Sequence, residues 1–289
     1  IQGTVADGLL VNLGANNVSV YLGNGLGGFS SALNYSVGTQ SSSMVCADFN
    51  GDGNPDLGVP NFGIDNKIHI LMNNGSGMFA PASLYNAGGS GAWSISANDF
   101  NNDGVIDVLI NNPQRISILY GTGSGSFLPP VYYPGRFGAS YHNVADFDNN
   151  GTKDIALSDA YFNNVEIYTN NGASDFSIPN TCEVNDMAPV SFTSGDFNSD
   201  GNPDFVVGDI HNGSDSIAMI ASIGQTAYLP SIKYNGGGIS YKSVDFISGD
   251  FNNDNKIDVA FTGGINPINS LTIKLGDGIG SFMTTNTYT

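Results

Sequence analysis

The sequence predicts an all-β protein assembled from repeated units, and three observations predict it. Apolar residues alternate in short runs such as "NVSVYL" at 17–22 and "KIHILM" at 67–72, while no long stretch carries the spacing of an amphipathic helix. An acidic phrase recurs as "ADFNGDGNPDLGV", "NDFNNDGVIDVLI", "ADFDNNGTKDIAL", "GDFNSDGNPDFVV" and "GDFNNDNKIDVAF", with leading aspartates Asp48, Asp99, Asp146, Asp196 and Asp250 spaced by 51, 47, 50 and 54 residues. A glycine-rich marker keeps the same beat, ending at Phe29, Phe79, Phe127, Phe176, Tyr228 and Phe282.

Between the markers each unit offers four short strands, for instance 43–48, 56–61, 67–72 and 82–87, separated by Gly, Asn and Asp turns. A lone four-stranded sheet cannot bury both faces, so such units must stack, and radial stacking gives a β-propeller. The first strand of each unit suits the crowded inner position. Met44, Ile95, His142, Phe192 and Phe246 stand four residues before the leading aspartate, and the small or medium Cys46, Ala97, Val144, Ser194 and Ser248 stand two before it.

The expected fold is therefore one propeller domain over 1–289, with calcium-binding loops between strands 1 and 2 of its blades. The repeats run approximately 1–40, 41–90, 91–137, 138–187, 188–238 and 239–289, which makes about six blades, with seven left open. The first repeat lacks its acidic loop, and Asp7 matches that loop's last aspartate. The terminal "TTNTYT" is one candidate for completing the first blade, and upstream residues are the other. No leader-like segment precedes Ile1, so the sequence reads as a mature chain or an excised domain.

Charge narrows the partners. Eight basic residues face twenty-six acidic ones, a formal net charge of −18, which argues against nucleic acid and anionic membrane surfaces and favours cations. No run of eighteen apolar residues occurs, so membrane insertion through a helix is not expected.

The acidic phrase has the donor pattern of an oxygen-ligated cation site. Counting from the leading aspartate, side-chain oxygens fall at positions 1, 3, 5 and 9, position 7 supplies a backbone carbonyl, and Gly at position 6 permits a sharp turn. The first loop offers Asp48, Asn50, Asp52, Asn54 and Asp56; the second Asp99, Asn101, Asp103, Val105 and Asp107. The third offers Asp146, Asp148, Asn150, Thr152 and Asp154, with the carboxylate moved from position 5 to 3. The fourth offers Asp196, Asn198, Asp200, Asn202 and Asp204, and the fifth Asp250, Asn252, Asp254, Lys256 and Asp258, with Asn255 in place of the glycine.

About five calcium ions are expected, which would bring the formal charge from −18 to −8. An EF-hand is excluded because position 12 is apolar in every copy (Val59, Ile110, Leu157, Val207, Phe261) where that motif needs a glutamate. Asx-turns joining strands without any ion are the competing account, which five repetitions of the donor pattern disfavour.

These phrases, D-F-N-x-D-G-x-x-D followed by text like "NNVSVYLGNGLGGF", resemble the FG-GAP/VCBS repeat family over nearly the whole chain. The family includes integrin α-chain propellers, some fungal lectins and propeller-type polysaccharide lyases. The resemblance implies calcium at the loops just named and commonly seven blades.

If the turns alternate between blade ends, the acidic loop and the Gly-x-Phe turn share one end. The 2-to-3 turns and the links between blades share the other. Those links vary: "NAGGSGAW" at 86–93, "PGRFGASY" at 134–141, "CEVNDMA" at 182–188 and "NGGGISYK" at 235–242. Variable loops on a stiff scaffold are where recognition resides, and Trp93, Arg136, Tyr141 and Tyr241 are the candidate ligand contacts there. Trp93 is read either as a sugar-stacking ring or as packing, and Arg136 as a carboxylate clamp or a solvated cation.

Function is read as a calcium-stabilised extracellular or cell-surface binding module for a carbohydrate or a protein. A polysaccharide lyase or hydrolase and a purely structural propeller within a larger adhesin are the alternatives. Catalysis lacks an obvious constellation: adjacent Tyr141 and His142 point to opposite faces of a strand, His69 and His211 have no evident partner, and no nucleophile elbow or Walker loop occurs. Cys46 and Cys182 sit on unlike strands and are read as unpaired. The sequon at Asn150 falls on a proposed ligand, so the Asn-X-Ser/Thr matches carry little weight.

Overall fold

The computed structural model describes residues 7–288 apart from 42, 63–65, 90, 114, 135–138, 173–174, 177–178, 185–187, 210–215, 236–244 and 264–269. The chain is all-β among these residues. It divides into two compact units, Ile1–Arg136 and Phe137–Thr289, each carrying three sheets.

In the first unit, β1 (Gly8–Asn12), β2 (Asn17–Tyr21) and β3 (Leu33–Ser36) form a three-stranded sheet. Next come β4 (Val45–Ala47), β5 (Asp56–Pro60), β6 (Lys67–Leu71) and β7 (Ser83–Asn86), then β8 (Ser94–Asn98), β9 (Asp107–Asn112), β10 (Arg115–Leu119) and β11 (Val131–Pro134). The second unit holds β12 (Ala139–Ala145), β13 (Asp154–Asp159), β14 (Asn164–Tyr168) and β15 (Asn180–Glu183). It continues with β16 (Pro189–Gly195), β17 (Asp204–Asp209), β18 (Ser216–Ile220) and β19 (Ile232–Asn235), then β20 (Phe246–Gly249), β21 (Asp258–Gly263), β22 (Ser270–Gly276) and β23 (Phe282–Tyr288).

Every sheet is an antiparallel meander in chain order, as short hairpin turns require. The strand windows read from sequence sit within one or two residues of those observed. Residues 284–288 of the terminal segment "TTNTYT" lie in β23 and pair with β22, so the first sheet keeps three strands among the described residues.

Alternation fails in the middle strands for a physical reason. Strands β5, β9 and β13 are buried at every residue, because both faces of a stacked sheet are covered. The first strands of consecutive sheets adjoin, β4 with β8 in one unit, β12 with β16 and β16 with β20 in the other, as the large-then-small pattern anticipates.

Aromatic rings seal the joints between sheets. Phe49, at position 2 of its loop, meets Phe127 of the next sheet edge-to-face at 5.4 Å, and Phe197 meets Phe282 at 5.8 Å. Phe147 packs on Phe205, which packs on Tyr228. Phe49, Phe100, Phe147 and Phe197 are essentially inaccessible to water, and burying each ring is worth about 1.5–3 kcal/mol. The phenylalanine in the acidic phrase is thus a joint, which fixes where the loop stands.

Candidate metal centres and an aromatic cleft

The five acidic loops share one backbone. Position 6 lies in the left-handed region, with φ of 83°, 82°, 89° and 86° at Gly53, Gly104, Gly151 and Gly201 and 64° at Asn255. Position 4 does too, at Gly51, Asn102, Asn149, Ser199 and Asn253, a requirement the sequence reading passed over although Gly, Asn and Ser there were its signal.

These two reversals aim backbone N–H groups inward. The leading carboxylate takes the N–H of position 6 at 2.8 or 2.9 Å in all five loops and that of position 5 at 2.9–3.2 Å. The position 5 side chain accepts the N–H of position 7 at 2.8 Å in four loops and 3.0 Å in the fifth. The side-chain oxygens at positions 1 and 5 are thereby tied to the backbone of the turn in all five loops.

The last aspartate does something further. Its Oδ2 accepts the N–H of the position 2 phenylalanine, and its Oδ1 accepts a backbone N–H from the turn between the third and fourth strands. Asp107, for example, takes Phe100 N–H at 2.9 Å and Gly121 N–H at 2.8 Å. The same pairs occur at Asp204 with Phe197 and Ser222 and at Asp258 with Phe251 and Gly276. Asp7 takes Gly23 N–H at 2.8 Å, so the sheet without an acidic loop still keeps this pin, at the position that alignment gives to the last aspartate. The acidic loop and the Gly-x-Phe turn therefore do share one sheet end.

Burial sets the electrostatics. Asp107, Asp154 and Asp204 are wholly inaccessible, and desolvation pushes each carboxyl up to about 6 despite the two backbone N–H donors. Asp56 moves in the same direction for the same reason. Exposed Asp52 goes the other way, its carboxylate favoured by the backbone N–H of Asn54.

The third loop is distinct. Among the described residues, only Asp146, Asp148 and Asp154 bring three candidate ligand atoms within 4.8 Å of one another. Here Asp148 N–H reaches Asp154 Oδ2 at 3.3 Å and Asn150 donates Nδ2–H to Asp148 Oδ2 at 3.1 Å, the mirror of the bond that the position 3 asparagine makes to the position 5 carboxylate in the other loops. Burial and the neighbouring Asp146 raise the Asp148 carboxyl, the state of a carboxylate with too much negative charge around it. Three carboxylates gathered in this way fit an oxygen-ligated cation.

The opposite sheet ends carry the recognition candidates. In the first unit, Trp93 lies in the link between β7 and β8, its N–H bonded to Asn111 O at 3.0 Å and its side chain 44% exposed. It meets Phe62, 39% exposed in the β5–β6 turn, edge-to-face at 5.1 Å. With Leu13 of the β1–β2 turn and Gln40 of the β3–β4 link they line a cleft of about 520 Å³. Gly91, at φ 77°, passes beneath, where an added Cβ would stand 3.2 Å from the Phe62 ring. Trp93 thus packs against Phe62 and also leaves part of its surface to solvent.

The other named candidates do not join that cleft. Tyr141, in β12, donates its hydroxyl to Asp245 Oδ1 at 3.2 Å, and burial followed by the Asp245 charge pushes it up to about 12, which removes it as a base at neutral pH. Desolvation holds His142 down to about 4, so its imidazole is neutral. Arg136, Tyr241 and His211 lie outside the described residues. Cys46 is exposed and Cys182 buried, both free thiols as expected.

Comparison with known proteins follows the same lines. A profile of FG-GAP-like repeats matches residues 6–59, 61–110, 99–157 and 146–207. Integrin alpha-4 of Xenopus laevis is 31% identical over a stretch covering 42% of this chain and 14% of the integrin, so the chain spans a small part of that relative. A lectin of Agrocybe aegerita that recognises non-reducing terminal N-acetylglucosamine superposes with a TM-score of 0.69 at 18% identity, covering 98% of this chain and 80% of the lectin. A streptogramin B lyase gives 0.65 at 19% identity, with 99% and 80% covered. BBS1N, solved in complex with ARL6, gives 0.60 at 10% identity, with 99% and 83% covered. At these identities the likeness to solved structures is one of fold, and the fold is propeller-like. Among the described residues no helix is long and apolar enough to cross a membrane.

Proposed function

The chain belongs to the family of FG-GAP-like repeat proteins, and from that premise we propose that it is a calcium-stabilised extracellular binding module that recognises carbohydrate. Calcium would be held at the five acidic loops by the side chains at positions 1, 3, 5 and 9 and the carbonyl at position 7. When bound it supplies positive charge to carboxylates that otherwise face one another. The chain's own part is to fix those oxygens through the two left-handed residues and the pinning aspartate. Recognition falls to the opposite sheet ends, and the half-open Phe62–Trp93 corner is the observation that carries this reading. The lectin and the BBS1N complex are precedents for this scaffold binding sugar or protein.

The extracellular assignment follows from the ligand chemistry, since loops of this kind in outside modules work at roughly 10⁻⁴–10⁻³ M calcium. A glycan array probed with the full chain in millimolar calcium tests the proposal. One sugar family bound repeatedly, and lost in Trp93→Ala, is the expected result. A bare array would hand the role to a protein partner or to architecture within an adhesin. Cleavage of an acidic polysaccharide would hand it to the lyase alternative.

A further inference from the structure

We propose that the Phe62–Trp93 corner is a subsite for an uncharged pyranose, its C–H face against the rings and its hydroxyls toward Gln40; the proposal rests on the carbohydrate-binding reading above. The two rings stand at 76° to each other, a floor and a wall, and with the residues 44% and 39% exposed each keeps part of its surface open. The negative face of an aromatic ring attracts polarised C–H groups, and a pyranose presents such a face with its hydroxyls projecting at the rim. Leu13, 58% exposed, extends the apolar side.

Gln40 supplies the polar complement. Its backbone sits at φ 59°, uncommon for a residue other than Gly or Asn, and is tied down there: its carbonyl accepts Phe62 N–H at 3.2 Å and its N–H reaches Asn16 Oδ1 at 3.4 Å. The side-chain amide offers two donors and an acceptor, which matches a pair of neighbouring hydroxyls.

Charge decides the class of sugar. No side chain lining the cleft among the described residues is charged, and the chain carries −18 overall. A uronate would lose hydration there with no cation to receive it, whereas a neutral hexose or N-acetylhexosamine would not. A proline-rich peptide is less suited, because an extended chain needs successive aromatic slots and donors along its path, and this corner offers one right angle and one amide.

Trp93 is the sole tryptophan, so its fluorescence in the full chain reports this corner alone. The chain in calcium buffer is titrated with methyl glycosides of neutral hexoses, of N-acetylhexosamines and of uronic acids. Array binding and calorimetry are repeated for Trp93→Phe, Trp93→Ala, Phe62→Ala and Gln40→Ala, each variant first checked by melting and circular dichroism. The expected result is a saturable response to at least one neutral glycoside, with its uronate at least tenfold weaker. Binding should survive in Trp93→Phe and fall at least tenfold in the three alanine variants.

Sugar binding that persists in folded Trp93→Ala and Gln40→Ala overturns the corner and leaves the carbohydrate reading standing. An array without any signal overturns both. Preference for the uronate, or a response to proline-rich peptide without one to sugar, overturns the proposal.

Discussion

The left-handed residue at loop position 6 gives a test in which one physical effect is isolated. At Gly53, Gly104, Gly151 and Gly201 an added Cβ meets nothing within 4 Å, so replacement by alanine costs no steric clash, only the left-handed backbone. That conformation costs an L-residue about 1–2 kcal/mol, while the stiffer unfolded chain returns roughly 0.4–1 kcal/mol, leaving a net destabilisation of about 1 kcal/mol per loop. Summed loop by loop this is roughly 4 kcal/mol for the quadruple alanine variant, with the third and fourth loops coupled because Asn149 donates its side-chain amide to Gly201 O at 3.4 Å and to Asn202 Oδ1 at 3.0 Å. In a chain of this size that is a fall of roughly 8–16 °C in melting temperature. The fifth loop contains its own control, because Asn255 holds φ 64° at the same position. A quadruple asparagine variant should therefore melt within a few degrees of the parent. Both are measured in EGTA, so that stability is read from the loop backbone alone. Equal melting of the alanine and asparagine variants would refute the claim that position 6 is chosen for its backbone angle.

Other outcomes follow from the same structure. Calcium at 100 times its dissociation constant should stabilise the fold by about 2.7 kcal/mol per occupied loop; Asp103→Asn, which keeps an acceptor for Val105 N–H, should leave melting in EGTA within about a degree of the parent and reduce the calcium-dependent gain by up to one loop's share. His142 titrates near 4 in the fold against an ordinary 6.5, so its contribution is fully present above pH 6.5 and lost as pH falls through 4. His142→Phe, the residue that occupies this slot at Phe192 and Phe246, should raise the melting temperature more at pH 5 than at pH 8. An alkylating reagent should modify one thiol per native chain, exposed Cys46, and reach buried Cys182, pushed up to about 12, only after denaturation.

The strand units, the acidic loops and the Gly-x-Phe turns were legible because each is local and chemically unlike its surroundings. Even Asp7, stripped of the rest of its loop, was placed by spacing alone. What escaped was long-range. Leu13, Gln40, Phe62 and Trp93 come from four separate turns and links, and nothing in any one of them announces a cleft. The partner of Asp107 Oδ1 is Gly121, fourteen residues away, so the last aspartate read from sequence as a ligand and not as a pin. The third loop's exchange of Asp and Asn was visible, but the gathering of Asp146, Asp148 and Asp154 within 4.8 Å depends on side-chain positions that spacing does not give.

Asp7 also separates two roles that the acidic loops combine. Its carboxylate holds Gly23 N–H at 2.8 Å, within the 2.7–2.9 Å found for the five aspartates that close an acidic loop. The pin is therefore a property of the sheet end and does not require the loop. Where the loop is present, Asp107, Asp154 and Asp204 are buried so fully that desolvation raises their carboxyls to about 6, and neighbouring loop carboxylates raise them further. A buried carboxylate that must stay ionised to accept two N–H groups is stabilised by positive charge beside it. The aspartates at positions 1 and 5, or 1 and 3 in the third loop, stand where such a charge would be held. Asp7→Asn should consequently cost the same in EGTA as in calcium, whereas Asp107→Asn should cost more in calcium. Equal costs at both sites under both conditions would show that pin and cation site are independent.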